Sequence, residues 1–361
     1  MIEATSFRVF ALLAALSSAA AGADDTKPEV PQATAAAAPD TNDAFHQKGL
    51  AIQASLDGIY GKGFWTYLFD DGVLPRPYLV AREFKSNIDL DVLSREYADI
   101  FGCLYREFYA EYGERFGLKP ITEPVVVLIY AAKDAHKKAR ETRPELGLPN
   151  EEFMGGYYQP GTGILTQWEQ DDLWHVVFHE GTHQLIDYAT RGARVPQSRQ
   201  YAWFQEGVAD YMGGHKCETT VENGKIVRHF TLGQFIADRF SSVQRGILEN
   251  KVLPIEQLVD VNFDELHSHQ FQQEGDTENQ SFTELLYAEG WALVMFLHRN
   301  PADKAKFDEY FYAELHGNGG KQKFAEIFLL ESKEDWEAFD DEFREWVQVD
   351  LRNMRPIKKA H

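Results

Sequence analysis

Val125-Val126-Val127-Leu128-Ile129-Tyr130 is a short, unbroken apolar run, and it constrains the fold more than any other segment. Apolar residues in succession, rather than in alternation, read as a buried strand, which needs other elements packed over it. Leu79–Phe84 alternates loosely and reads as another strand. Between Asp91 and Phe116 the residues Leu93, Tyr97, Ile100, Phe101, Leu104 and Phe108 recur at helical spacing, and Gly117 and Pro120 stop that helix. A polar helix is expected near Lys133–Arg143. Met154–Tyr158 and Ile164–Trp168 flank a Gln-Pro-Gly-Thr-Gly turn, which suggests a β-hairpin.

Asp171–Thr190 reads as a helix, with Asp171 or Asp172 as its N-cap and Gly192 past its end. A loop with Pro196 leads to a second helix, Ala202–Met212, closed by Gly213-Gly214. Beyond residue 220 the patterns are almost wholly helical, over Leu232–Leu248, Phe282–Leu297, Lys304–Leu315 and Lys333–Val349. Strands with helices first, then helices alone, indicate an α+β lobe (46–215) followed by an all-helical C-terminal lobe (216–361).

The N-terminal segment has a different character. Arg8 precedes an apolar, small-residue stretch from Val9 to Ala23 that ends in Ala21-Gly22-Ala23. This is the pattern of an export signal with its cleavage site, and it is shorter than the roughly 20 residues of a membrane-spanning helix. Residues 1–23 are therefore expected to be a signal peptide and residues 24–45, rich in Ala, Pro, Asp and Thr, a flexible linker. The mature protein is expected to be secreted or periplasmic. The chain carries 57 acidic and 36 basic residues, a net charge of −21. Such a surface repels phosphate backbones and anionic lipid heads, so neither nucleic acid nor a stable membrane association is expected. The two cysteines, Cys103 and Cys217, could pair in an oxidising compartment or be two buried thiols.

The chemistry lies in His175-Val-Val-Phe-His179-Glu180-Gly181-Thr182-His183. On a helix, positions four apart share a face, so His179 and His183 can bind one metal ion. Glu180, rotated by about 100°, falls beside that ion, where a water polarised by zinc would sit and could be deprotonated. An open zinc site needs a third protein ligand, and Glu206 on the next helix is the candidate. Asp210, four residues later on the same face, suits a carboxylate that takes the second N–H of a ligand histidine, although it could itself ligate. His175 is about 12 Å of rise from His183, so the three histidines cannot close around one ion; it reads as a supporting or packed residue. Asp187 is either a supporting carboxylate or a surface one. Two histidines and a carboxylate favour Zn²⁺ among divalent ions.

With these residues the sequence resembles the gluzincins, the thermolysin-like clan of zinc peptidases with HExxH and a downstream Glu. Its order of elements also resembles a family of secreted bacterial peptidase-like domains of unknown substrate. These pair HExxHQL with W-x-x-E-G-x-A-x-Y, here Trp203–Tyr211, and carry a later Y-x-x-x-W-x-L-x-x-F-L segment, here Tyr287–Leu297. The resemblance is strong over residues 155–215 and loose elsewhere. It implies a zincin-like lobe with a small mixed sheet and an active-site helix. It also implies His179, His183 and Glu206 as zinc ligands, Glu180 as general base and then acid, and the 155–168 hairpin as the edge that holds an extended peptide or protein substrate. Gly181 departs from the pattern, since a larger apolar residue is common there. The metzincin pattern fails, with Ile186 and Ala189 in the places of its Gly and third His.

Something beyond zinc usually stabilises the oxyanion that forms on the substrate. Tyr287 is the candidate because it opens the Tyr287–Leu297 helix, with His267 and His269 as alternatives. The leading expectation is a zinc metalloendopeptidase. Two others stand beside it: a zinc-retaining, non-catalytic interaction or scaffold domain, and a zinc amidase acting on a non-protein amide such as a cell-wall cross-link.

Overall fold

The computed structural model describes residues 43–69, 77–84, 90–142, 155–159, 162–170, 173–190, 199–266 and 277–354. The expected leader, nearly all of the linker, Asp171, Asp172, His267 and His269 lie outside the described residues. The chain divides into two compact units, one of the residues up to Ala189 together with Cys217–Phe230, the other of Thr190–Lys216 and Thr231 onward. The fold is α+β and mostly helical, with a five-stranded mixed sheet and a two-stranded one.

The first unit starts with helix α1 (Ala44–Tyr60), capped by Asp43, whose carboxylate accepts the N–H of Phe45. Strands β1 (Trp65–Leu68) and β2 (Tyr78–Glu83) follow. Helix α2 (Leu90–Phe108) runs through a π-turn at Tyr109–Gly113 into the short α3 (Glu114–Phe116). Strand β3 is Val125–Tyr130, α4 is Lys133–Thr142, and β4 (Gly156–Gln159) and β5 (Ile164–Trp168) form the expected antiparallel hairpin. Helix α5 spans Leu173–Thr190.

The sheet order is β1-β2-β3-β5-β4; β2, β3 and β5 are parallel, and β1 and β4 are antiparallel edges. All six residues of β3 are buried. Val126, Leu128 and Tyr130 pack with α1 and Trp65, while the intervening Val125, Val127 and Ile129 are fully buried too. The unbroken apolar run thus reflects a central strand covered on both faces.

In the second unit, α6 (Ala202–Gly213) packs along α9 (Thr277–Leu297); between them come α7 (Ala237–Leu248) and α8 (Ile255–Leu258). Helices α10 (Pro301–Leu315), α11 (Lys321–Phe328) and α12 (Lys333–Trp346) complete it. Asn300 caps α10 with Pro301 at its first position, and Ser332 and Asp335 form a capping box on α12. Phe296 makes edge contacts with Phe339, Phe343 and Trp346, an aromatic core between α9 and α12.

The expectation of helices alone beyond residue 215 is corrected by a hairpin, β6 (His215–Glu222) and β7 (Lys225–Leu232). Asn223 and Gly224 both have positive φ, 50° and 77°, which is the backbone of a tight two-residue hairpin turn. β6 is largely polar and exposed, and β7 buries Phe230 alone among its described side chains, so neither has the apolar signature of a core strand. Helix α7 accordingly starts at Ala237, five residues later than expected. Cys103 and Cys217 are both free. Cys103 lies 3.6 Å from the carbonyl of Phe230, and burial pushes its thiol up to about 12. Among the described residues no helix is long and apolar enough to cross a membrane.

Glu314 on α10 is the buried acid that holds the entry to α6. Its carboxyl accepts the N–H of Tyr201, the N-cap residue, at 2.8 Å and the hydroxyl of Tyr310 at 3.3 Å. A side chain at Gly319 would collide with it. Burial pushes this carboxyl up to about 8, although the two hydrogen bonds pull the other way. Between the ordinary value of 4.5 and about 8, the folded chain keeps a proton that the unfolded chain releases. Stability therefore falls as pH rises through that window. Thermal denaturation of the parent and of Glu314→Gln from pH 5 to pH 9 should show the parent losing Tm relative to the variant as pH rises. A constant difference across the range would refute this assignment.

Candidate metal centre

Helix α5 has one face committed to packing and another that carries the candidate ligands. Val177, Phe178 and Leu185 are fully buried and Ile186 nearly so. Phe230 packs edge-on against Trp174 and Phe178. Gln184, also fully buried, donates its amide to the carbonyls of Val126 on β3 (2.9 Å) and Gly163 before β5 (3.0 Å). Tyr188, one turn on, donates to Gly163 as well, at 3.3 Å. The helix is thereby fixed in rotation against the start of the parallel strands.

That rotation sets the polar face. His175, His179 and His183 follow one another at four-residue intervals, with ring centroids 6.1 Å and 5.1 Å apart. A ring nitrogen of His179 lies within 4.8 Å of one on His183 and, in the alternative grouping, of one on His175. A single ion can therefore take 179 with 183 or 175 with 179, but not all three, because the outer pair is two turns apart. The carboxylate of Glu180 accepts the backbone N–H of Tyr158 on β4 at 2.9 Å, which orients it. Asp187 accepts the hydroxyl of the same tyrosine at 2.5 Å. Asp187 is half-buried, and its contact with Tyr158 is to β4 and not to a histidine of the helix.

In the second unit, Glu206 sits on the second turn of α6 and is 4% exposed, while Asp210 is fully buried. Gly207 lies between them in sequence and backs onto Gly290 of α9; a Cβ at 207 would meet the Gly290 carbonyl oxygen at 2.5 Å. Arg239 of α7 forks onto Asp210, with Nε at 2.6 Å from Oδ2 and an Nη at 3.3 Å from Oδ1. Burial works against the guanidinium charge, but Asp210, Tyr287 and Glu206 outweigh it and raise its pKa. The guanidinium also lies over the Tyr287 ring, 5.2 Å from the centroid. Tyr287 stands in the middle of α9 and not at the start of a helix, as the sequence suggested, because α9 begins ten residues earlier.

Arg239 and Tyr158 are the two residues that sequence reasoning missed. Arg239 lies in a helix outside any motif. Tyr158 was visible only as part of a hairpin. Gly181, the departure noted in the sequence, has a packing reason: a side chain there would run into a terminal methyl of Leu104 on α2.

The two helix glycines should respond differently to alanine. At 181 the obstacle is the flexible end of Leu104, and the roughly 1 kcal/mol gained in helix propensity offsets the repacking. At 207 the obstacle is backbone. Urea denaturation should place Gly207→Ala about 2 kcal/mol or more below the parent and Gly181→Ala within about 1 kcal/mol of it; the reverse ranking would contradict the packing described. Compared with protein-family models and with curated protein sequences, the chain matches none.

Proposed function

We propose that this chain is a zinc-dependent hydrolase of the gluzincin type, a secreted endopeptidase, in which His179, His183 and Glu206 hold one ion and Glu180 handles the proton. The observation that carries the reading is the arrangement on α5: two imidazoles one turn apart, and next to them a carboxylate held by a backbone N–H. The donor set fits the group. Two neutral imidazoles and a carboxylate are zinc ligands, and a carboxylate as buried as Glu206 needs a cation or hydrogen bonds to offset the cost of desolvation. Asp210 is already forked by Arg239, which favours Glu206 as the ligand and Asp210 as its support.

A bound divalent ion would polarise water and the substrate carbonyl. The chain's own residues would do the rest. Glu180 would take a proton from the attacking water and return it to the leaving amine nitrogen. The edge strand β4 would align an extended peptide, and Tyr287, its ring under Arg239, is the proposed donor to the oxyanion.

Elemental analysis of the purified mature protein should find one zinc per chain, and Glu206→Ala should lose most of it. Glu180→Gln should keep the zinc and lose at least about a hundredfold of the activity on fluorescently labelled casein. A parent that neither retains nor takes up zinc would refute the proposal. Zinc retention with no hydrolysis of any peptide would leave the non-catalytic binding reading in its place.

A further inference from the structure

We infer that Tyr158 is a positioning residue that clamps the edge strand β4 onto α5 at two points and so fixes the carboxylate of Glu180. The inference rests on Glu180 being the proton-handling group of the proposed reaction. Glu180 and Asp187 are seven residues apart, so they lie almost on one line along α5, separated by two turns. Tyr158 spans that interval alone. Its backbone N–H donates to Oε2 of Glu180 at 2.9 Å and its hydroxyl to Asp187 at 2.5 Å. Tyr158 is 4% exposed.

Among the described residues β4 is the last strand of the sheet and pairs with β5, where Tyr158 stands opposite Leu165. Glu180 thus serves as a partner to the strand at its outer edge. The close approach is built in by glycine. A Cβ on Gly156 would lie 2.6 Å from a Val176 methyl, and one on Gly155 2.8 Å from the other. Gln170 adds a third tie, donating to the Gly155 carbonyl at 2.8 Å.

A glutamate has three rotatable bonds, and a general base is effective only in the rotamer that faces its water. The Tyr158 amide holds Oε2 and so limits the rotation of the carboxylate. The phenol holds the amide in place by anchoring the same residue two turns along the helix. Loss of the phenol alone would keep every group of the proposed metal site and release the strand that orients one of them.

The test compares Tyr158→Phe, Asp187→Ala, Asp187→Asn and the Phe/Ala double variant in the full mature chain. Two readouts are used: hydrogen–deuterium exchange of the 156–159 backbone, and casein hydrolysis with zinc content measured alongside. Tyr158→Phe and Asp187→Ala should each speed exchange at residue 158 about tenfold and lower kcat about tenfold, with zinc content unchanged. Asp187→Asn, which still accepts the phenol, should restore most of both, and the double variant should be no worse than either single one. Unchanged exchange, additive losses, or a change confined to KM or zinc content would overturn the clamp. A parent without zinc or activity would refute the proposed function instead, and the exchange measurement would still decide whether Tyr158 clamps the strand.

Discussion

The buried amide of Gln184 is the interaction on which the first unit's candidate site depends. A helix lying on a sheet through apolar contacts alone can rotate by a fraction of a turn at little cost, because methyl groups have no preferred direction. Two hydrogen bonds to fixed carbonyls, at Val126 and Gly163, remove that freedom. Each is worth only about 0.5–1.5 kcal/mol net, but leaving a fully buried amide unpaired would cost more. Any other rotation of α5 is therefore penalised. With the Gln184 side fixed, the line of His175, His179 and His183 and the flanking Glu180 are fixed too, since all sit on one rigid helix.

The second unit solves the same problem differently. Its helix α6 is held against α9 by a close backbone approach, Gly207 onto Gly290, and at its N-terminus by the Glu314 carboxyl on the Tyr201 amide. Arg239 closes the far end of the polar stripe by gripping Asp210. None of these contacts is apolar packing alone; each has a direction. Glu206, one turn before Asp210, inherits its place from them.

Much of this was legible in the residues. The unbroken run Val125–Tyr130 gave a doubly covered strand, the Gln-Pro-Gly-Thr-Gly turn gave the β4–β5 hairpin, and the four-residue spacing of three histidines put them on one helical line. What stayed illegible was of two kinds. Strands with little buried apolar surface, as in β6–β7, carry no strong periodic signal, and only Asn223-Gly224 marked the turn. Partners far apart in sequence leave no mark at all: Arg239 with Asp210, Glu314 with Tyr201, and Tyr158 with Asp187 are 29, 113 and 29 residues apart. Local patterns report which face a residue occupies, not which side chain it meets there.

The distribution of buried polar groups bears on why α5 and α6 look as they do. Among the described residues the buried polar side chains include His179, Thr182 and Gln184 on α5 and Glu206 and Asp210 on α6. Thr182 bonds its own helix at the Phe178 carbonyl, and Gln184 bonds the sheet, so these two serve the fold. His179, Glu206 and Asp210 are of another kind. A core selected for stability alone would replace buried charge with apolar residues of similar volume, a change that is often neutral or stabilising. Asp210 instead takes a fork from Arg239, and Glu206 is buried one turn away. Each helix, within its own unit, braces its buried polar groups by directional contacts behind them, α5 through Gln184 on the sheet and α6 through Arg239 and the approach to α9, and such bracing is what the proposed site requires.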